Sequence, residues 1–468
     1  MPISPTDFGA SFKGFLDQMS ATAPVEEPIF RRRLREHFGC EPNELPTLSE
    51  KFPAHDHANV HSALAAELEG ADGSVATFGV IHPHPYMSAT FSMLAAPGKP
   101  GLTGGDGLAE GPVEYVNIPL DDDRVVACVQ SGLFLLRRGG GPLAVLMAGP
   151  MKEYHPMAQV GVQVMAPTRE AAEAFLAGLR TAMRKRNVYR GHVLSLADTR
   201  IGTMEVKFHR LPNVPRVNII LPRGLLKRVE RQTVRFSELS EKLKGAGRHL
   251  KRGILLHGPP GTGKTLTAMY VARAIRDRTV LLLTGRGQGM IEQSCALARA
   301  PQPSIVILED VDLVAEERTR PGAACTGPLL FELLNQMDGL SDDADVLFLL
   351  TTNRPDLLEP ALAARPGRVD QAIEIPLPDA ECRRRLFELY SAGLTLGDIR
   401  WETFVQRTEG ASAAFIREMM RKAALFAADE SSDRVEDKHL DEAVHELVVE
   451  GGSLTQKLLG FGSARDAE

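Results

Sequence analysis

The run Gly258-Pro259-Pro260-Gly261-Thr262-Gly263-Lys264-Thr265, followed by Leu266, has the residue types and spacing of a phosphate-binding loop. It comes directly after the apolar run Ile254-Leu255-Leu256. Its glycines let the backbone wrap an anion, and the amides of the helix expected to follow point at that anion. The Lys264 ammonium supplies charge to the outer phosphates of a nucleotide, and the Thr265 hydroxyl is a ligand for Mg2+. ATP is the expected nucleotide.

A second constellation follows the apolar run Ile305-Val306-Ile307-Leu308, which delivers Glu309 and Asp310 at its C-terminal end. Ligands of open α/β sheets sit at that end of the strands. Position makes Glu309 the group that holds Mg2+ through water and Asp310 the base that orients and deprotonates the attacking water. The order is Glu-Asp where Asp-Glu is common. A third run, Leu349-Leu350-Thr351-Thr352, ends in Asn353. The Asn353 amide either bonds the attacking water or the γ-phosphate, or is a turn or cap residue before Arg354-Pro355. Finally, Arg365 and Arg368 flank a Pro-Gly turn, and a guanidinium can reach across a subunit boundary to stabilise phosphoryl charge. In isolation the pair also fits an ordinary surface.

The elements that must position these groups alternate from about residue 215. Apolar runs at 254–257, 280–284, 305–310 and 346–352 are separated by helical stretches, which implies a parallel sheet covered by helices. After Pro376 and Pro378 the pattern becomes all-helical, over roughly 380–393, 401–407, 412–428 and 435–449. The expected fold class is α/β: a P-loop NTPase parallel sheet with a C-terminal helical lid, preceded by an α+β N-terminal region. The expected division is a helical segment at 1–94, a Gly/Pro-rich flexible linker at 95–112, a small α+β domain at 113–210, the α/β core at 215–378, the lid at 379–450 and a tail at 451–468. Within the first half, Gly39 is a candidate helix stop, a helix is expected from Val60 to Leu68, and Gly139-Gly140-Gly141 joins two apolar runs as a hairpin. Thr168 is a candidate cap for a helix burying Ala172, Phe175, Leu176, Leu179 and Met183. The arginines 31, 32, 33 and 35 read as a solvated helix face.

The motifs, taken in order, resemble the AAA family of ATPases: the phosphate loop, the strand with Glu309-Asp310, Leu333-Leu334-Asn335-Gln336-Met337-Asp338-Gly339-Leu340, Thr352-Asn353-Arg354-Pro355, and Arg365-Pro366-Gly367-Arg368. The resemblance covers about residues 215–450. It implies an ATP-hydrolysing ring, expected as a hexamer, that remodels or translocates a protein partner. It also implies that Asn353 senses the γ-phosphate, that Arg365 and Arg368 are fingers in the neighbour's site, and that Asp338-Gly339-Leu340 signals between subunits. Ala413 and Ala414 match the small residues of the lid that approach the adenine. The leader Val217-Asn218-Ile219-Ile220-Leu221-Pro222-Arg223-Gly224 and the Glu-Asp order resemble the Bcs1-like subgroup, whose membrane helix has no counterpart here.

Other features narrow the function. The net charge of −6 disfavours bulk attraction to nucleic acid or to an anionic membrane. Five scattered cysteines, with no Cys-x-x-Cys pair, suit free thiols in a reducing cytoplasm. No signal peptide or apolar stretch near 18 residues is expected. His445-Glu446-Leu447-Val448-Val449 lacks the second histidine of a zinc protease, and His55-Asp56-His57 with His61 reads as a solvated group rather than a metal site. The C-terminal residues differ from the hydrophobic-Tyr-x tail of proteasome-activating ATPases. The expected pore loop, Thr284 to Glu292, has no aromatic residue. That leaves a second expectation beside the remodeller, a nucleotide-gated assembly scaffold with slow hydrolysis.

Overall fold

The computed structural model describes residues 5–22, 27–84, 87–97, 107–120, 124–151, 158–198, 204–283, 290–312, 328–340, 344–356, 358 and 369–450. Contacts divide the chain into two units, residues 1–188 with 197–206, and residues 189–196 with 207–468.

The first unit is built on an antiparallel sheet. Its strands are β1 (Thr47–Pro53), β2 (Ala76–Ile81), β3 (Ala109–Gly111), β4 (Glu114–Pro119), β5 (Val125–Arg138), β6 (Gly141–Ala148) and β7 (Gln159–Met165). The order is β1-β7-β6-β5-β2-β3, and β4 pairs with β5. The hairpin expected at the three glycines is present, with Arg138 opposite Gly141. Helices His57–Glu69 and Arg169–Lys185 cover one face, burying Val60, Leu64, Phe175 and Leu179 against Val145, Val162 and Val164. Thr168 caps the second of these helices by accepting from Ala171 N, and Gly39 ends helix Ile29–Phe38 in the left-handed region at φ 71°.

This sheet corrects the expected division of the first half. Strands β1 and β2 come from the segment expected to be only helical, and they pair with β7 and β5 of the expected α+β domain. The expected linker contributes β3, which pairs with β2, while residues 98–106 lie outside the described residues. The reason is that β1 is an edge strand with one buried residue, Phe52. Its polar Thr-Leu-Ser-Glu-Lys pattern carries little local strand signal, and its pairing is long-range. The arginine face is paired rather than simply solvated: Arg31 with Glu41, Arg33 with Glu110 and Arg35 with Glu27. His57 is buried, not solvated, and its Nε2 lies 2.8 Å from Val129 O. Among the described residues no group of three or more His, Cys, Asp or Glu could hold a metal.

The second unit is the expected α/β architecture. The strands of its sheet are β8 (Val193–Asp198) and β9 (Met204–His209), of which residues 193–196 and 207–209 belong to this unit, with β10 (Arg252–His257), β11 (Thr279–Leu283), β12 (Ser304–Leu308), β13 (Val346–Thr352) and β14 (Gln371–Glu374). They lie in the order β14-β10-β13-β12-β11-β8-β9. The pairs from β14 to β8 are parallel. Every residue of β12 and β13 is buried, as near-continuous apolar strands covered on both faces must be. The lid helices Ala380–Tyr390, Trp401–Arg407, Ala413–Asp429 and Asp437–His445 enclose their own core of Phe387, Phe404, Phe415, Met419 and Leu440. The leader stitches the two cores together. Ile219 and Leu221 are buried in the sheet's core, and Ile220 between them packs against the lid's.

Thr168→Ala removes a cap from the long helix of the first unit. It is expected to destabilise that unit by about 1 kcal/mol, read as a shift in its denaturation midpoint, while the second unit's transition stays in place.

Candidate functional site

Three neighbouring strands place the predicted residues together. His257 at the end of β10 lies opposite Thr352 at the end of β13, and Leu308 at the end of β12 lies opposite Leu350. The phosphate loop follows β10, the acidic residues follow β12 and Asn353 follows β13, so all three arrive at one sheet edge.

The loop's glycines have separate reasons. At Gly258, φ is 141° and a Cβ would stand 2.2 Å from Ile375 O. Ile375 N donates to His257 O at 2.7 Å, so the chain after β14 closes directly onto the loop's first residue. At Gly261, φ is 74° and a Cβ would meet Ser412 Oγ at 2.7 Å and Ala414 Cβ at 2.9 Å. Ala414 N donates to Gly261 O at 3.1 Å, which brings the start of lid helix Ala413–Asp429 against the loop. Ser412 caps that helix, accepting from Phe415 N. Within the loop, Thr262 Oγ1 donates to Pro259 O at 2.9 Å. Helix Lys264–Ala274 begins at Gly263 with no side-chain cap, which leaves its first amides for an anion. Pro260 lies between these points, and Thr265 and Leu266 are exposed in the first turn.

Lys264 is the electrostatic centre. Its side chain is buried, with Nζ donating to Gly258 O at 2.8 Å and Pro259 O at 2.7 Å. Burial pulls its pKa down to about 8, against the opposing attraction of Asp310 and Asp312. Asp310 sits at φ 49°, a strained backbone for a residue other than glycine. Its N–H donates to Thr351 Oγ1 at 3.1 Å, and its Oδ1 accepts from Asn353 Nδ2 at 3.3 Å. Burial and then the charge of Asp312 raise the Asp310 pKa, while Lys264 and Asn353 lower it. Burial and then Asp310 raise the pKa of Glu309. A carboxylate that is desolvated and ringed by like charge is suited to accept a proton.

Glu309 Oε1 is buried with no hydrogen-bond partner among the described residues. An orphaned buried carboxylate oxygen, a second acid next to it and the exposed Thr265 hydroxyl are a hard-oxygen donor set that fits a hydrated Mg2+.

Asp312 is the residue that sequence reasoning missed. It is buried, and its Oδ1 accepts from Thr352 Oγ1 at 2.9 Å and from Asn353 N at 3.3 Å. It thereby ties the end of β13 to the end of β12. The available signal was its spacing in Glu309-Asp310-Val311-Asp312, a third acid two residues beyond the pair. Asp338-Gly339-Leu340 closes helix Pro328–Asp338, with Gly339 N donating to Asn335 O and Leu340 buried. Arg365, Arg368 and the pore loop at 284–289 lie outside the described residues.

Residues 254–377 match the model of the ATPase family associated with various cellular activities (AAA), and residues 398–442 match the AAA+ lid domain. Similar relatives include the 26S proteasome regulatory subunit 10B homolog A of Arabidopsis thaliana, 35% identical over 42% of this chain and 52% of its own. The proteasome-activating nucleotidase of Methanothermobacter thermautotrophicus is 33% identical over 45% of this chain and 53% of its own. Proteasome-activating nucleotidase 2 of Halobacterium salinarum is 32% identical over 45% and 54%. The chain thus spans about half the length of these curated relatives. The Bcs1-like organisation rests on the leader and the Glu-Asp order alone.

Gly261→Ala puts a methyl group where Ser412 and Ala414 stand, at a φ that alanine disfavours. The expected result is nucleotide affinity reduced about tenfold, equivalent to about 1.4 kcal/mol, in a titration with a fluorescent ADP analogue. An affinity equal to wild type would mean that the lid's approach to the loop is immaterial to binding.

Proposed function

Starting from a chain that carries an AAA ATPase domain and its lid, we propose that it hydrolyses ATP as an oligomeric ring, a hexamer, and uses turnover to remodel or translocate a protein partner held by its N-terminal half. One observation carries this reading. Lys264, Asp310 and Asn353, from the ends of three adjacent strands, converge where the lid meets the phosphate loop.

In this reading the loop Gly258 to Thr265, with Leu266 behind it, binds the phosphates, and Ala413 and Ala414 flank the adenine. Lys264 leaves its two carbonyl partners to neutralise phosphate charge. Thr265 and Glu309 would hold a Mg2+, which would supply positive charge beside the phosphates. Asp310 orients the attacking water and takes its proton, and the Asn353 amide fixes Asp310 while bonding the γ-phosphate. Asp312 holds the backbone of Asn353 in place. Arg365 and Arg368 complete the neighbouring subunit's site, and Asp338-Gly339-Leu340 relays its state. The names of the relatives, which are proteasomal, support a protein as the partner, and the acidic net charge speaks against nucleic acid. No helix among the described residues is long and apolar enough to cross a membrane, and we place the protein in the cytoplasm. The absence of an aromatic between Thr284 and Glu292 favours a second reading, a nucleotide-gated scaffold whose hydrolysis is slow.

Asp310→Asn is expected to lower ATP turnover by about 10²–10⁴-fold while Mg-ATP still drives assembly, measured by native mass spectrometry beside a phosphate-release assay. Arg368→Ala should lower turnover by about 10³-fold or more without weakening nucleotide binding by a matching factor. A scaffold would instead assemble with ATP and show wild-type turnover that no protein partner accelerates. Unchanged turnover in Asp310→Asn would remove Asp310 from the mechanism.

A further inference from the structure

Strand β13 is apolar until its last two residues, Thr351 and Thr352, and both are fully buried. A buried hydroxyl is costly unless it is hydrogen-bonded. Valine would fill nearly the same volume in a central strand without that cost. The hydroxyls must therefore be judged by their partners. Thr352 Oγ1 donates to Asp312 Oδ1 at 2.9 Å and accepts from Arg354 N at 3.0 Å. Thr351 Oγ1 accepts the backbone N–H of Asp310 at 3.1 Å.

That last bond meets the chain where it leaves the sheet. The ladder between β12 and β13 ends at Leu308 opposite Leu350, whereas β10 stays paired with β13 as far as Thr352. Two residues past the end of its ladder, Asp310 takes φ 49°. Aspartate holds that conformation only where the surroundings enforce it. The angle φ is a rotation about the N–Cα bond, so it is fixed when the groups on both sides of that bond are held. Thr351 holds the amide on one side. Asn353 Nδ2 holds the carboxylate on the other, at 3.3 Å. The two holders are two residues apart, the spacing that puts side chains on one face of a strand. Asn353 is shared, because its amide also bonds the γ-phosphate in the reading above. Thr351 is fully buried and out of the nucleotide's reach.

We propose that Thr351 is a positioning residue for ATP hydrolysis, holding Asp310 in the backbone conformation that presents its carboxylate to the attacking water. The inference rests on the reading of Asp310 as the base. Without the acceptor, the Asp310 N–H is released, φ relaxes and the carboxylate moves. A displacement of about 1 Å at a reacting group costs on the order of 10²-fold in rate. The loss falls on the chemical step and not on nucleotide binding, because the Thr351 hydroxyl bonds the acid and no residue of the phosphate loop.

The test uses the full chain, phosphate release for turnover and a fluorescent ADP analogue for affinity. Thr351→Val keeps the shape and removes the acceptor. It is expected to lower turnover about ten- to a hundredfold, with nucleotide affinity within about twofold of wild type. Thr351→Ala loses the same acceptor and carries the same expectation. Thr351→Ser keeps the hydroxyl and should restore turnover to within about threefold of wild type. In single-turnover measurements on Asp310→Asn, adding Thr351→Val should cost less than about twofold more, because a residue that acts through Asp310 has nothing left to position. Wild-type turnover in Thr351→Val and Thr351→Ala overturns the proposal. So does an equal loss of nucleotide affinity, or a full further loss in the Asp310→Asn background. If Asp310→Asn is slow while both Thr351 variants are fast, the proposal alone fails. If Asp310→Asn itself turns over like wild type, the base reading fails and the proposal falls with it.

Discussion

The buried ammonium of Lys264 is the constraint around which the phosphate-loop site is arranged. Lys264 is held out of water by two neutral carbonyls of its own loop, and the aspartates that attract it, Asp310 and Asp312, come from another strand. Burying a cation without a matched counter-charge is costly, so the surroundings must hold it in place. They do so through backbone contacts that admit no side chain. The chain after β14 presses on Gly258, and the lid's first turn presses on Gly261. The two glycines and the lid's first turn thus hold the loop closely around that lysine.

The acidic side of the site follows a similar logic. Three carboxylates within four residues repel one another, and the chain separates them by giving each a different partner. The Asp312 carboxylate accepts from Thr352 Oγ1 and Asn353 N, the Asp310 carboxylate accepts from the Asn353 side-chain amide while its own N–H donates to Thr351 Oγ1, and Glu309 keeps one oxygen unbound among the described residues. Asp310 holds these partners at a positive φ of 49°, a strained backbone for a residue other than glycine.

The second unit was legible in the sequence because its signals are local and redundant. Buried parallel strands read as unbroken apolar runs, and each ends in a polar residue with few other uses. Asp312 escaped because its value lies in a contact between strands, which spacing alone does not reveal. The first unit was legible only in its middle, where Leu133–Leu136 and Leu143–Met147 are apolar and a glycine turn joins them. Its edge strands are half-exposed and their partners lie far along the chain. Phe52 opposite Val160 and Gly79 opposite Gly132 are pairings that no local pattern encodes. Outside the family matches, the first 253 residues must be read from their own sequence and packing.

The measurement that bears most directly on this account is proton linkage of nucleotide binding, by calorimetry at pH 8.5 in two buffers of different ionisation enthalpy. With a free-protein pKa of about 8, Lys264 is mostly neutral at that pH, and a bound phosphate favours its charged form. Binding should therefore take up roughly three-quarters of a proton per site, fall toward no uptake at pH 7, and lose affinity as pH rises above 8. Lys264→Met should abolish the uptake. Equal apparent enthalpies in the two buffers for the wild type, or an uptake that survives in Lys264→Met, would contradict the claim that the desolvated Lys264 ammonium organises the site.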